Sequence, residues 1–150
     1  MKKIALVGSS GGHLAHLLAL RSWWSRYERF WVTFDKPDAR SHLANERVYW
    51  CRHPTNRHLP NLALNSVLAL RVLAREKPDL IVSCGAGAAL PYYGLAPLFG
   101  TKTAFIEVVD RIDSATLTGR LVYRLTDLFI VQWESQRRHY PRSVYVGELL

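Results

Sequence analysis

The residues with the clearest chemical promise lie near the start of this 150-residue chain, where Gly8-Ser9-Ser10-Gly11-Gly12-His13 follows a short apolar run and leads into a helical pattern. Glycines let the backbone turn tightly and bring its N–H groups against an anion, and the helix start behind them adds a positive partial charge. Phosphate is the group such a loop favours. The spacing G-x-x-G-G-H matches neither G-x-G-x-x-G nor a loop ending in Gly-Lys-Ser/Thr, so kinase and ATPase readings drop out. Asp35 closes the next apolar run about where a dinucleotide-binding fold places its ribose acid, which keeps a nicotinamide reading open. His13 could be a general base, since an imidazole titrates near neutral pH, or a helix-start residue bonded to local backbone. His16 lies one turn on, but no third ligand stands at useful spacing and no metal is expected.

Three further segments could carry chemistry. Arg52-His53-Pro54-Thr55-Asn56-Arg57-His58 is a polar, basic stretch whose arginines and histidines could clamp phosphate oxygens, or simply be a solvated loop. Ser83-Cys84-Gly85-Ala86-Gly87-Ala88 is a second strand-to-helix glycine turn, offering more backbone N–H groups to an anion or sugar. Ile106-Glu107-Val108-Val109-Asp110-Arg111 ends another apolar run with a carboxylate and an arginine. Glu107 could accept from sugar hydroxyls or act as a base, and a structural Glu107–Arg111 pair would look the same.

These segments need a frame that brings them together. Short apolar runs alternate with longer amphipathic stretches, the mark of β-α-β units around a parallel sheet covered on both faces. Strands are expected over 3–7, 30–34, 48–51, 80–83, 103–108, 128–131 and 144–146, and helices over 13–27, 61–76, 88–99, 116–125 and 134–140. The helix over 61–76 carries Leu64, Leu68, Leu70 and Leu73 as its apolar residues. Leu80 to Thr101 is uncharged and long enough to span a bilayer, but its glycines and prolines read as strand, loop and helix instead. The whole is one α/β domain, 1–150, with no repeat or linker.

The charge is uneven. Residues 1–75 hold 12 basic and 4 acidic side chains and residues 76–150 hold 8 of each, so the net +8 belongs to the first half. Such an excess favours an anionic partner: nucleic acid, an acidic lipid surface or a phosphorylated substrate. No nucleic-acid recognition motif accompanies it. Two cysteines, Cys51 and Cys84, provide neither metal-ligand spacing nor a disulfide framework and fit a reducing cytoplasm. Trp23 and Trp24, with Arg21, Arg26 and Arg29, could form an interfacial patch, or Trp24 could be core.

In order, Gly8 to Leu14, Val32 to Asp35, His53 to Arg57, Ser83 to Gly87, Ile106-Glu107, Leu117-Thr118-Gly119-Arg120-Leu121 and Val131 to Glu134 closely resemble the PssD-like bacterial polysaccharide-synthesis proteins. These are similar to the membrane-recruiting subunit of the eukaryotic second N-acetylglucosaminyltransferase of the dolichol pathway. More distantly, the glycine turns and Glu107 resemble the acceptor half of MurG-type glycosyltransferases. The resemblance implies a Rossmann-like parallel sheet, the N-terminal half of a GT-B glycosyltransferase. A PssE-like partner would bind the UDP-sugar and this chain a polyprenyl-diphosphate-linked acceptor, at the inner face of the cell membrane, in exopolysaccharide or capsule synthesis. A scaffold that anchors and stimulates a catalytic partner is the alternative. No cofactor is implied. His13 and Glu107 are the implied catalytic candidates; Gly8, Ser9, Ser10, Gly11, Gly12, Asn56, Arg57, Gly85, Ala86, Gly87 and Arg111 would bind substrate. Two departures from the family pattern are Cys84, where a threonine is expected, and the missing proline after Gly147. The eukaryotic relatives' N-terminal membrane anchor is also not matched, which leaves peripheral attachment or recruitment by other components.

Overall fold

The computed structural model describes residues 3–85 and 87–149. Seven strands, β1 (Lys3–Gly8), β2 (Glu28–Phe34), β3 (Val48–Cys51), β4 (Leu80–Gly85), β5 (Lys102–Ile106), β6 (Leu128–Val131) and β7 (Val144–Tyr145), lie in one sheet in the order β3-β2-β1-β4-β5-β6-β7. Every pairing is parallel. The order runs outward from β1 in one direction and from β4 in the other, so the topological switch lies between these two strands. In open α/β sheets the crevice beyond the carboxyl ends at the switch is the ligand site. Gly8 and Gly85 are register partners there, just after the pairing shifts at Val7/Gly8.

The strands are apolar on both faces because helices cover both. One face packs Val7, Phe30, Ile81, Phe105 and Val131 under α4 (Leu59–Glu76), α5 (Leu90–Leu95) and α6 (Leu117–Val122). The other packs Ile4, Leu6, Trp31 and Val82 against α1 (Gly12–Ala19), α2 (Arg21–Trp24) and α3 (Pro37–His42). This is the Rossmann-like sheet the sequence leads one to expect, with one asymmetry. On the second face an apolar groove of about 360 Å³ runs over β4, β5 and β6, lined by Leu80, Val82, Ala104, Ile106 and Ile130.

Several helices differ from the sequence expectation for local reasons. The one expected over 13–27 breaks at Leu20, because the Leu17 carbonyl accepts from Leu20 N–H and from the Trp24 indole, which replaces the next α-helical bond. Pro91 and Pro97 lack N–H groups, so only Leu90–Leu95 of the expected 88–99 helix is α-helical, with 3₁₀ turns on either side. The 134–140 segment is a 3₁₀ turn over Glu134–Arg138. The helix α3 was not foreseen, although Pro37 and Asp38 supply a first-turn proline and acid. No helix among the described residues is long and apolar enough to cross a membrane.

Candidate functional site

An open cleft of about 760 Å³ lies at the switch point. Its floor is the ends of β1 and β4, with Ser9, His13, Cys84 and Gly85. One wall is the 53–58 loop and the start of α4, and the other is Arg111 with the start of α6. Four segments distant in sequence therefore meet, as parallel strands require: all of them follow carboxyl ends.

His13 is held by its Nδ1, which lies 3.1 Å from the Cys84 carbonyl. A carbonyl can only accept, so Nδ1 carries the proton and Nε2 is left as the basic nitrogen. Burial lowers the pKa of His13 below its ordinary 6.5, against an opposing contribution from the Cys84 bond, so the ring is neutral at pH 7. This is the state a general base needs. The ring lies against Gly85: a Cβ there would stand 3.2 Å from His13 Cε1, on a backbone with φ of 121°. The backbone conformation calls for glycine, and the ring leaves little room for a larger residue.

His16 has a different task. Val109 N–H donates to its Nε2 at 3.3 Å, so Nδ1 is protonated and donates to the Gly12 carbonyl at 2.8 Å. Both nitrogens are spent on backbone, tying α1 to the loop that carries Arg111.

The 52–58 loop is tied to α4 by hydrogen bonds. Asn65 of α4 accepts from Arg52 N–H and donates to the Arg52 carbonyl, Asn61 donates to the Pro54 carbonyl, and the His58 Nδ1 caps α4 by accepting from Asn61 N–H. Thr55 approaches Gly87 so closely that a Cβ there would be 3.0 Å from the Thr55 Cβ. His53 packs on Phe34. This leaves Asn56 and Arg57 on the cleft wall.

Glu107 lies outside the cleft and has no exposed surface. Its carboxylate accepts from Val108 N–H, Thr116 N–H, the Thr116 hydroxyl and the Tyr140 hydroxyl. Thr116 in turn caps α6 by accepting from Gly119 N–H at 2.9 Å. Gly119 is squeezed between them, since a Cβ would fall 2.5 Å from both Glu107 Oε2 and the Tyr140 hydroxyl. The geometry thus makes Glu107 the anchor of the α6 start: a carboxylate with both oxygens engaged and no access cannot take a proton from a ligand. Among the described residues no ion pair joins it to Arg111. The Arg111 loop is instead laced to the sixth strand end by Gln132 to the Glu107 carbonyl, Trp133 to the Val109 carbonyl and Gln136 to the Arg111 carbonyl.

Of the expected site residues, Ser9, His13, Asn56, Arg57, Gly85, Gly87 and Arg111 line the cleft; Gly8, Ser10, Gly11, Gly12 and Glu107 do not. Gly8 is a buried strand end, and Gly11 N–H donates to the Asp38 carboxylate at 2.8 Å, so that amide is already occupied. Ala86 lies outside the described residues. Asp35, the ribose-acid candidate, pairs with Arg40. Trp24 is 3% exposed and packs edge-on against Trp31, so the Trp23–Trp24 patch does not assemble on the surface. Cys84 reaches the cleft, but burial pushes its thiol well above the ordinary range and it is no nucleophile. Sequence reasoning missed Lys36 and the leucines Leu59, Leu62, Leu90, Leu117 and Leu121, all cleft-lining. Lys36 directly follows Phe34-Asp35 at a strand end, a signal that was available; the leucines carry no mark of a site by residue type.

The charged groups lining the cleft are Lys36, Arg57 and Arg111, and no carboxylate lines it among the described residues. It can therefore hold an anion beside an apolar chain, with an imidazole base between.

Comparison with known proteins follows the same lines. The model of the family "Oligosaccharide biosynthesis protein Alg14 like" matches residues 52–149, the part that carries the basic loop, α4, the second glycine turn and the Glu107–Gly119 lock. The chain belongs to this family. The human UDP-N-acetylglucosamine transferase subunit ALG14 is 26% identical over 178 residues, covering 98% of this chain and 82% of that protein. The Saccharomyces cerevisiae protein of the same name is 41% identical over 58 residues, covering 37% of this chain and 24% of its own length. Among solved structures, Acinetobacter baumannii MurG superposes with a TM-score of 0.76 at 17% identity, over 99% of this chain and 44% of MurG. The UDP complex of Staphylococcus aureus MnaA gives 0.73 at 16% identity over 99% of this chain and 44% of that protein. These likenesses concern the fold: the Alg14-like chain spans less than half of either structure.

Proposed function

We propose that this Alg14-like chain is the acceptor-side subunit of a two-part glycosyltransferase. It supports transfer of a hexosyl residue from a UDP-sugar to a polyprenyl-diphosphate-linked acceptor in exopolysaccharide or capsule synthesis. The observation that carries this reading is the composition of the cleft: Lys36, Arg57 and Arg111 around a floor with a neutral histidine, and leucines of α4, α5 and α6 at its edge. A diphosphate suits the first set and a prenyl chain the second.

The curated relatives are named as subunits of a UDP-N-acetylglucosamine transferase, which supports a partner that binds the donor. The apolar groove over β4–β6, beside Val146 and Leu149, supports a protein surface for it. In this reading the acceptor hydroxyl lies near His13 Nε2, which removes its proton as the hydroxyl oxygen attacks the anomeric carbon. The bond to UDP breaks in the same in-line step, inverting the centre, and the partner stabilises the departing diphosphate. Localisation is peripheral, at the inner face of the membrane.

The test is co-purification of a PssE-like donor-binding chain with this one, then assay with UDP-sugars and polyprenyl-diphosphate acceptors. Turnover by the pair and by neither chain alone is expected. Turnover by the other chain alone, merely raised by this one, supports the scaffold reading; the same turnover with His13→Gln in the pair overturns a catalytic role here.

A further inference from the structure

The helix α4 is turned the unexpected way round. Its buried stripe is Asn65, Ala69, Val72, Leu73 and Glu76, while of the leucines that suggest a core face only Leu73 is buried. Leu59 is 74% exposed, Leu64 47%, Val67 48% and Leu70 47%. At 100° per residue, Leu59, Ala63, Leu64, Val67, Leu70 and Ala74 fall on one side of the helix, away from the sheet. A solvated helix places polar residues there; this one places leucines.

The charges on the same flank have one sign. From Arg52 to Arg75 the sequence holds four arginines and no acid, and the sole acid of α4, Glu76, is buried among Lys3, Arg47 and Tyr49. Across the cleft, α6 and the turn after it expose Leu117, Leu121 and Leu125 beside Arg120 and Arg124, again with no acid between residues 117 and 125. Leu59, Leu62, Leu117 and Leu121 line the same cleft, so the two flanks meet at its mouth. No salt bridge among the described residues uses Arg57, Arg71, Arg75, Arg120 or Arg124.

We infer that the outer face of α4, continued across the cleft by α6, seats the chain on an anionic phospholipid surface. Apolar side chains enter the headgroup boundary while arginines contact lipid phosphates, the pattern of an interfacial helix. Charge complementarity selects this occupant: a protein partner would have to be acidic over the whole flank, whereas an anionic leaflet is so by composition. The inference rests on the membrane placement proposed above and adds the face and its orientation. The cleft mouth would open toward the bilayer, from which a lipid-linked acceptor must come.

The test is vesicle co-flotation of the full chain with phosphatidylcholine alone and with phosphatidylcholine containing phosphatidylglycerol. We expect binding to the anionic vesicles, weakened by added salt. The triple variant Leu64→Gln, Val67→Gln, Leu70→Gln should lower the partition coefficient by about tenfold or more, as should Arg71→Glu with Arg75→Glu, both with an unchanged circular-dichroism melting curve. Full binding by both variants overturns the face while leaving the membrane placement standing. No binding by the unaltered chain overturns both. A dimer in solution that the triple variant dissolves, without vesicle binding, makes the face a protein interface and also overturns the inference. A variant that melts early is replaced by the single change Val67→Gln, for which an approximately threefold loss is expected.

Discussion

His13 bonds the Cys84 carbonyl through Nδ1 at 3.1 Å, so one imidazole joins the first glycine turn to the second at the floor of the cleft. That bond fixes the tautomer, and burial fixes the neutral charge state.

Replacing His13 with Gln should lower turnover of the reconstituted pair by about 10²–10⁴-fold, the usual worth of a positioned general base. In the unaltered pair the acid limb of kcat/KM should fall below pH 6.5, because burial lowers the folded pKa. A limb at or above 6.5, or one that persists in His13→Gln, would assign the titration to another group.

The same shift has a stability sign. A histidine whose folded pKa is depressed binds more protons when unfolded, so stability falls as pH drops through 6.5 and levels off below the folded pKa. Glu76 adds a second, more acidic window. Burial opposes its charge, but bonds from Tyr49 and Lys3 and the charge of Arg47 hold its carboxyl below the ordinary 4.5, so its contribution is lost as pH falls through that lowered value. Thermal melting against pH should therefore decline in two stages. His13→Gln should remove the upper one and Glu76→Gln the lower.

Gly119→Ala should destabilise the chain by about 3 kcal/mol, since the new methyl meets a buried carboxylate and hydroxyl at a distance no relaxed packing allows. Glu107→Gln should act on the same lock, lowering the melting temperature while turnover per folded molecule stays within about tenfold of the parent, short of what loss of a base costs. An unchanged melting curve with a loss of about a thousandfold would instead restore Glu107 as the base.

Removing the cleft cations tests the anion directly. Lys36→Ala, Arg57→Ala and Arg111→Ala should each weaken binding of farnesyl diphosphate by roughly tenfold to a hundredfold, the worth of one charged hydrogen bond. Isothermal titration at fixed salt reads this, and inorganic pyrophosphate serves as the lipid-free comparison. Equal affinity for the two probes would remove the leucines from the ligand's path.

The sheet was legible because parallel strands buried on both faces leave continuous apolar runs such as Ile4-Ala5-Leu6-Val7 and Phe30-Trp31-Val32. The glycine turns were legible because their backbone geometry restricts the residue type. Helix faces were harder: Leu64 and Leu70 have core character by composition, and their outward placement follows from Asn65 and Glu76 being drawn inward by bonds to Arg52, Lys3 and Tyr49. Glu107 was ambiguous for a similar reason. An acid at a strand end reads as catalytic until its partners appear, and Thr116, Gly119 and Tyr140 lie 9, 12 and 33 residues away.

The apolar groove over β4, β5 and β6, whose floor is buried but whose rim exposes Leu128 and Val146, bears on how such a chain lives in a cell. Apolar surface left in water invites any passing apolar surface, so every interval spent alone raises the odds of aggregation or proteolysis. If the partner proposed above covers that rim, production of the two chains would have to be matched in amount and in time, and an excess of this one should be short-lived. The groove would then set the chain's abundance as well as its contacts.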